Sequence, residues 1–292
     1  MQPWEALDRT AGYNHLVLKP MNGSIGAEVE GVRLNEPLNE ATRAEIRRAL
    51  SENLVIVFRG QHDFSREAHV AFARTFGNIQ NIPHLFSVDG HPHVQIIERL
   101  ANDTRRLIGE GFHNDSTFME TPPTSVTFHA VTVPDYGGDT AFANLYLAFE
   151  ALSPTMQQWL LPMQAVHSAV RLFGTGANQA TVSMKKMDTA EGDREVMHPL
   201  VCTHPVSGRK FLYLNSAYVL RIVGLKAGES QALLDFLLKH AAQMAFTGRV
   251  RYQKGTVLVW DNWAAHHNAI GDYQGKYRYM ERVTTGGLRP GQ

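Results

Sequence analysis

The sequence has a single cysteine, Cys202, in 292 residues. That excludes an intramolecular disulfide and any metal cluster built on cysteine, and it fits a reducing cytoplasm. Net charge is also absent, because Lys+Arg and Asp+Glu each number 28. Without a global basic field nucleic acid is not expected, and an anionic partner has to be a small molecule caught by local charges. No apolar run approaches the roughly 18 residues of a membrane span. Residues 1–19, interrupted by Glu5, Asp8 and Arg9, do not read as a signal peptide. Repeats and low-complexity tracts are lacking too. The remaining composition, 43% apolar and 19% charged, is that of a globular enzyme. The expectation is a cytoplasmic, homo-oligomeric protein with a small-molecule partner and no membrane association.

Patterning along the chain predicts few helices and many short strands. Residues 23–31 read as a strand between turn glycines. Residues 39–54 read as a helix with Ile46, Ala49 and Leu50 on one face. A buried strand follows at 54–58. Ser65 can cap a helix through Phe76, with Gly77 just past its end. Short β-like runs then dominate, at 94–97, 125–131, 211–214, 250–252, 257–260 and 277–284, and one more helix fits 229–245. Helices are too few for regular βαβ alternation. The predicted class is α+β, mainly β: a double-stranded β-helix (jelly roll) core with packed helices. One domain, 1–292, is expected, with an aperiodic loop around 173–196 that can serve as a lid.

Two segments carry the chemistry. In GEGFHNDSTF, His113 and Asp115 stand two apart, which on an extended chain turns both side chains to one side. About one His-x-Asp/Glu is expected by chance from this composition, and this is the one present. Alone, the pair is equally at home in a surface turn. Two histidines and a carboxylate on one face of iron(II) form the facial triad of oxygenases. The segment WDNWAAHHNAIGDYQGKYRYMERV, residues 260–283, offers the further histidine as His266 or His267. On its last β-like run Arg278, Met280 and Arg282 share a face by period two. Paired arginines on one face call for anions, and Arg suits bidentate carboxylate binding.

These segments, with FRGQ (58–61), FARTFG (72–77), FHNDSTFMETPP (112–123), YGGDT (136–140) and THPVSGR (203–209), give the chain its resemblance. It resembles the taurine/2,4-D dioxygenase (TauD/TfdA) family of iron(II)/2-oxoglutarate enzymes over about residues 17–290. The resemblance implies metal ligands His113, Asp115 and His267. His267 is chosen over His266 because the family's ligand stands two before an alanine, here Ala269, and eleven before the co-substrate arginine, here Arg278. It implies a 2-oxoglutarate clamp of Thr140 and Arg278, and a substrate anion at Arg282. Iron(II) is the implied cofactor, with 2-oxoglutarate and dioxygen as co-substrates. Asp115 favours hydroxylation over halogenation, for which a small residue would stand there.

Asn114 and Phe112 depart from the family's usual threonine and tryptophan. Gly109 and Ile82 stand where taurine-binding members carry polar groups. The stretches 167–169, 192–195 and 198–201 look closer to the (R)-2-phenoxypropionate (dichlorprop-type) dioxygenases, which attack a carbon beside an ether oxygen. The expected substrate is therefore a small carboxylate-bearing, aryloxyalkanoate-like molecule, with His84 as a further contact. An alkylsulfonate, an alkylsulfate or a natural product to be tailored is the alternative. A zinc hydrolase would share the triad but gives no reason for the Thr140/Arg278 clamp. An inactive jelly-roll binder need not keep an oxygen-activating metal.

Overall fold

Short strands, buried along most of their length at the centre, form two facing sheets. The computed structural model describes residues 9–105, 107, 109–179 and 184–291. The larger sheet runs, in order of pairing, Val17–Pro20, Ala27–Glu30, Val55–Phe58, Val257–Asp261, Ser125–Thr132, Arg278–Gly286, His91–Arg99 and Ser87–Val88. Its pairs are antiparallel except for Ala27–Glu30 beside Val55–Phe58. The opposing sheet is short: Thr247–Val250, Thr140–Asn144 and Ala265–Ala269. Chain crossings between non-consecutive strands make this the expected jelly roll.

The faces sort by chemistry. From Ser125–Thr132, Val126, Phe128 and Ala130 join Trp260, Met280 and Phe142 in the core between the sheets. On the opposite face His69, in the Arg66–Ala73 helix, reaches the Thr127 carbonyl, and Phe64 packs edge-on against His129. The same alternation puts Arg278 and Arg282 inside the sandwich with Met280, while Glu281 faces out to Arg66 at 2.7 Å.

Helix ends follow their capping chemistry. Asn39 accepts from Thr42 N at the start of Glu40–Asn53, and Leu54 closes that helix at φ 62°. Ser65 caps Arg66–Ala73 through Ala68 N. The long helix is Ala227–Ala241, shifted from the expected 229–245 because the chain turns into a short 3-10 segment at Met244–Phe246. The expected loop at 173–196 is partly structured: Thr189–Asp193 is helical and Gln179 bonds Phe173 and Met187. Its residues 180–183 lie outside the described residues. Among the described residues no helix is long and apolar enough to cross a membrane.

Candidate active site

A two-residue backbone pairing at the edge of the short sheet brings the triad together. His113 and His267 sit opposite each other as an antiparallel bridge, exchanging N–H···O bonds of 3.0 and 2.9 Å. Opposed residues of such a pair project to one side, and the two imidazole centroids are 4.2 Å apart. Asp115 follows on the same side. Its Oδ1 lies 3.5 Å from Nε2 of each histidine. One donor atom from each of the three falls within 4.8 Å of the others.

Neighbours fix this geometry. His113 Nδ1 donates to the Gly111 carbonyl at 2.8 Å, which leaves Nε2 as the lone-pair nitrogen facing Asp115. Asn262 clasps Asp115 at both backbone ends, accepting from its N at 3.0 Å and donating to its O at 3.1 Å. Asn114 points away from the triad and donates to the carbonyls of Asn262, Trp263 and Ala265, tying the turn that precedes His267. Gly109, at φ +85°, lets the chain pass so closely that a Cβ would sit 3.4 Å from the His113 ring.

The electrostatics suit a cation. Burial, reinforced by His113, pushes the His267 pKa down to about 4, so the ring is neutral and able to act as a ligand. Burial alone would raise the Asp115 pKa, but Arg282, His267 and His113 hold it well below the ordinary carboxylate range. Two imidazole nitrogens and one carboxylate oxygen, converging from one side, fit iron(II) with open positions. His266 faces the other way, with its Nε2 on the Leu214 carbonyl.

Arg278 and Thr140 meet on the inner side of the triad. Together with His113, Asp115 and His267 they line a cavity of about 70 Å³. Thr140 Oγ1 bonds the Tyr252 hydroxyl at 2.9 Å. Arg278 is buried, with its guanidinium carbon 5.3 Å from the Tyr252 ring and 5.8 Å from those of Phe128 and Tyr273. Its Nε lacks an acceptor, and among the described residues no carboxylate oxygen lies within 4.0 Å of it. Gly138, at φ +72°, makes room, since a Cβ there would come within 3.3 Å of Arg278 Nε.

A cavity of about 300 Å³ opens on the other side of the triad, with Ile82, Leu85, Leu172, Met184 and Tyr218 among its walls. His84 lines it, more deeply buried than a rim position, between the rings of Phe118 and Phe173. Burial lowers its pKa to about 4, so it is uncharged at neutral pH. Arg282 borders both cavities. Its Nη2 donates to Asp115 Oδ2 at 2.9 Å, and Nε and Nη2 both reach Thr284. The neighbouring acid Asp272 pairs instead with Arg249 at 3.0 Å. The roles of Tyr252, Asn262 and Tyr218 are not marked in the sequence by any spacing. Gly138 and Asn262 had a signal only as members of the YGGDT motif and of the 260–283 segment.

Comparison with known proteins gives the family. Residues 18–284 match the model of the family described as taurine catabolism dioxygenase TauD, TfdA family. The chain belongs to the TauD/TfdA family. It is 32% identical to an alpha-ketoglutarate-dependent sulfate ester dioxygenase of Pseudomonas putida, over 94% of this chain and 91% of that one. It is 31% identical to the alpha-ketoglutarate-dependent 2,4-dichlorophenoxyacetate dioxygenase of Cupriavidus pinatubonensis, over 92% and 97%. A crystal structure of a taurine dioxygenase from Burkholderia xenovorans superposes with a TM-score of 0.80 at 34% identity, covering 95% of this chain and 91% of that one. This TauD/TfdA protein is thus an oxidoreductase of the iron(II)/2-oxoglutarate-dependent dioxygenase class, with the jelly-roll fold expected from its sequence.

Proposed function

We propose that the protein hydroxylates a small, carboxylate-bearing organic substrate in the cytoplasm, with His113, Asp115 and His267 as the iron ligands. The observation that carries the reading is that His113 and Asp115 stand in the wall shared by two cavities, with His267 lining the smaller. The smaller holds a buried arginine, without a carboxylate partner among the described residues, beside a threonine hydroxyl, as a dicarboxylate co-substrate needs. The larger has room for an organic substrate, with Ile82, Leu85, Leu172 and Met184 as apolar walls.

Bound iron(II) supplies the coupling of 2-oxoglutarate decarboxylation, which yields succinate and carbon dioxide, to oxidation of the substrate. The side chains orient and insulate. Arg278 and Thr140 receive the distal carboxylate of 2-oxoglutarate, and Tyr252 orients the Thr140 hydroxyl. Trp260 and Phe142 pack on the His267 ring at 5.0 and 6.3 Å and exclude water from that flank. Arg282 holds the second oxygen of Asp115, leaving the first directed at both histidines. A substrate anion received at Arg282 would share this guanidinium with Asp115. His84 offers an uncharged hydrogen-bonding contact.

Sulfate ester, sulfonate and aryloxyacetate relatives in one family make the substrate panel the decisive test. Aryloxyalkanoates, alkyl sulfates and taurine are incubated with iron(II), 2-oxoglutarate and oxygen, and succinate is measured. Substrate-dependent succinate with an aryloxyalkanoate is the expected result. Stimulation by taurine or alkyl sulfates alone refutes the carboxylate reading, and no 2-oxoglutarate consumption at all refutes the clamp.

A further inference from the structure

Besides the triad's His113, the larger cavity carries three basic side chains among the described residues, His84, Arg171 and Arg282. They differ in what they can offer an anion. The charge of Arg282 is already opposed at 2.9 Å by Asp115, so a second carboxylate there competes with the triad. His84 is buried and brings a hydrogen bond but no charge. Lys185 is nearby in the chain, but its Nζ lies over the Phe86 ring.

Arg171 is different. It sits in the Val170–Phe173 helix and is exposed at the cavity mouth. Its Nη1 donates to the Ser216 carbonyl at 3.0 Å. Ser216 Oγ in turn donates to the Phe112 carbonyl at 3.3 Å, one residue before His113. One nitrogen of the guanidinium is therefore moored to the segment that carries the first triad residue. Among the described residues no carboxylate oxygen lies within 4.0 Å of it, so its remaining donors are available for a planar oxyanion. The cavity walls include the apolar Ile82, Leu85, Leu172 and Met184 beside the polar Ser116 and Asn178 and one acid, Glu110.

We infer that Arg171 is a specificity-determining residue that holds the carboxylate of the substrate at the cavity mouth, so that the preferred substrate is an elongated acid with an apolar spacer between its charge and the carbon presented to the triad. The inference rests on the oxygenase reading of the same cavity and orders the acids within it. Among phenoxyalkanoates, in which the reacting carbon adjoins the ether oxygen, it favours a long spacer over phenoxyacetate.

The test is a binding titration of the anaerobic protein with iron(II) and 2-oxoglutarate, read by perturbation of the visible charge-transfer band. The probes are phenoxyacetate, ω-phenoxybutanoate, ω-phenoxyhexanoate and their primary amides. The wild type should bind the two longer acids more tightly than phenoxyacetate and than their own amides. Arg171→Gln should weaken the longer acids about tenfold, the scale of one charge-assisted hydrogen bond. Amide and 2-oxoglutarate binding should stay unchanged, and Arg171→Lys should recover part of the acid preference. Added salt should weaken acid binding in the wild type more than in Arg171→Gln. An acid preference retained in Arg171→Gln overturns the assignment, as does tightest binding of phenoxyacetate, or no binding of any acid while the band forms. Absence of the band in the wild type overturns the co-substrate reading and this one with it.

Discussion

Replacing Arg278 by methionine should move two properties in opposite directions. In the protein without co-substrate this guanidinium is 5% exposed and faces three aromatic rings with no carboxylate partner among the described residues. Removing a cation from water costs several kcal/mol even after relaxation, roughly, and desolvated cation–π contacts return about 2 kcal/mol each at best. A methionine of similar length fills the space without that cost. By analogy with buried charges exchanged for apolar side chains, Arg278→Met should stabilise the co-substrate-free protein by about 1–4 kcal/mol. At roughly 2 °C per kcal/mol for a chain of this size, the melting temperature should rise by several degrees. The same change removes the fork for the distal carboxylate of 2-oxoglutarate. Truncating one partner of a buried charge pair costs about 2–5 kcal/mol, or roughly 30-fold to several thousand-fold in affinity. Anaerobic melting curves with iron(II), with and without 2-oxoglutarate, measure both. At a concentration about a hundredfold above its wild-type Kd, 2-oxoglutarate should stabilise the wild type by about 2.7 kcal/mol and the variant by about 0.9 kcal/mol at most. An equal 2-oxoglutarate shift in both proteins refutes the clamp. A lower melting temperature for Arg278→Met without co-substrate shows instead that Arg278 is a structural cation.

The other expectations concern the triad and its supports. His113→Ala, Asp115→Ala and His267→Ala should each abolish iron binding in equilibrium dialysis. His266→Ala should retain iron but lose about 1–3 kcal/mol in chemical denaturation, because the Leu214 carbonyl is left without its donor. If His266→Ala loses the metal and His267→Ala keeps it, the ligand is misassigned. Asn262→Ala unclasps both backbone ends of Asp115 and should lower iron affinity by about 10–100-fold, with unchanged affinity ruling out the orienting role. Thr140→Val should raise the 2-oxoglutarate KM several-fold, corresponding to about 1 kcal/mol. An effect as large as that of Arg278→Met would mean that the hydroxyl and not the guanidinium dominates.

What was legible in the sequence depended on whether local chemistry decided the structure. The helix at Glu40–Asn53 was readable because Ile46, Ala49 and Leu50 line one face. The strands Val55–Phe58 and Val257–Asp261 were readable as apolar runs, being buried along their whole length. The common face of Arg278 and Arg282 followed from period two alone. The short sheet was not readable. Thr140–Asn144 and Ala265–Ala269 are built of small and polar residues, because one face presents a site instead of a core. Their pairing with each other spans more than a hundred residues of chain. Arg282 reaches Asp115 across 167 positions. Asp272, though far nearer to Arg282 in sequence, belongs to Arg249.

A dioxygenase of this class that acts on an acid must hold two anions near one ion, and the Arg278–Gly286 strand shows how repulsion between them is contained. Four residues separate Arg278 from Arg282 on the same face, or about 13 Å at the rise of a strand. Two unit charges that far apart interact with about 1.3 kcal/mol at an effective dielectric constant of 20. Arg282 is itself bound to Asp115. It therefore holds the triad carboxylate in place and leaves little net charge to draw both acids to the same spot. The co-substrate carboxylate is left to Arg278 in the inner cavity, and a charged substrate is accommodated most easily where a further cation without a carboxylate partner stands, at the mouth. If Arg282 were instead the main anchor of the substrate, each binding event would loosen its bond to Asp115. Saturating acid would then weaken the metal site, and iron loss during turnover should rise with substrate concentration. Constant iron retention across the substrate range supports the division of labour among the three arginines, and concentration-dependent loss counts against it.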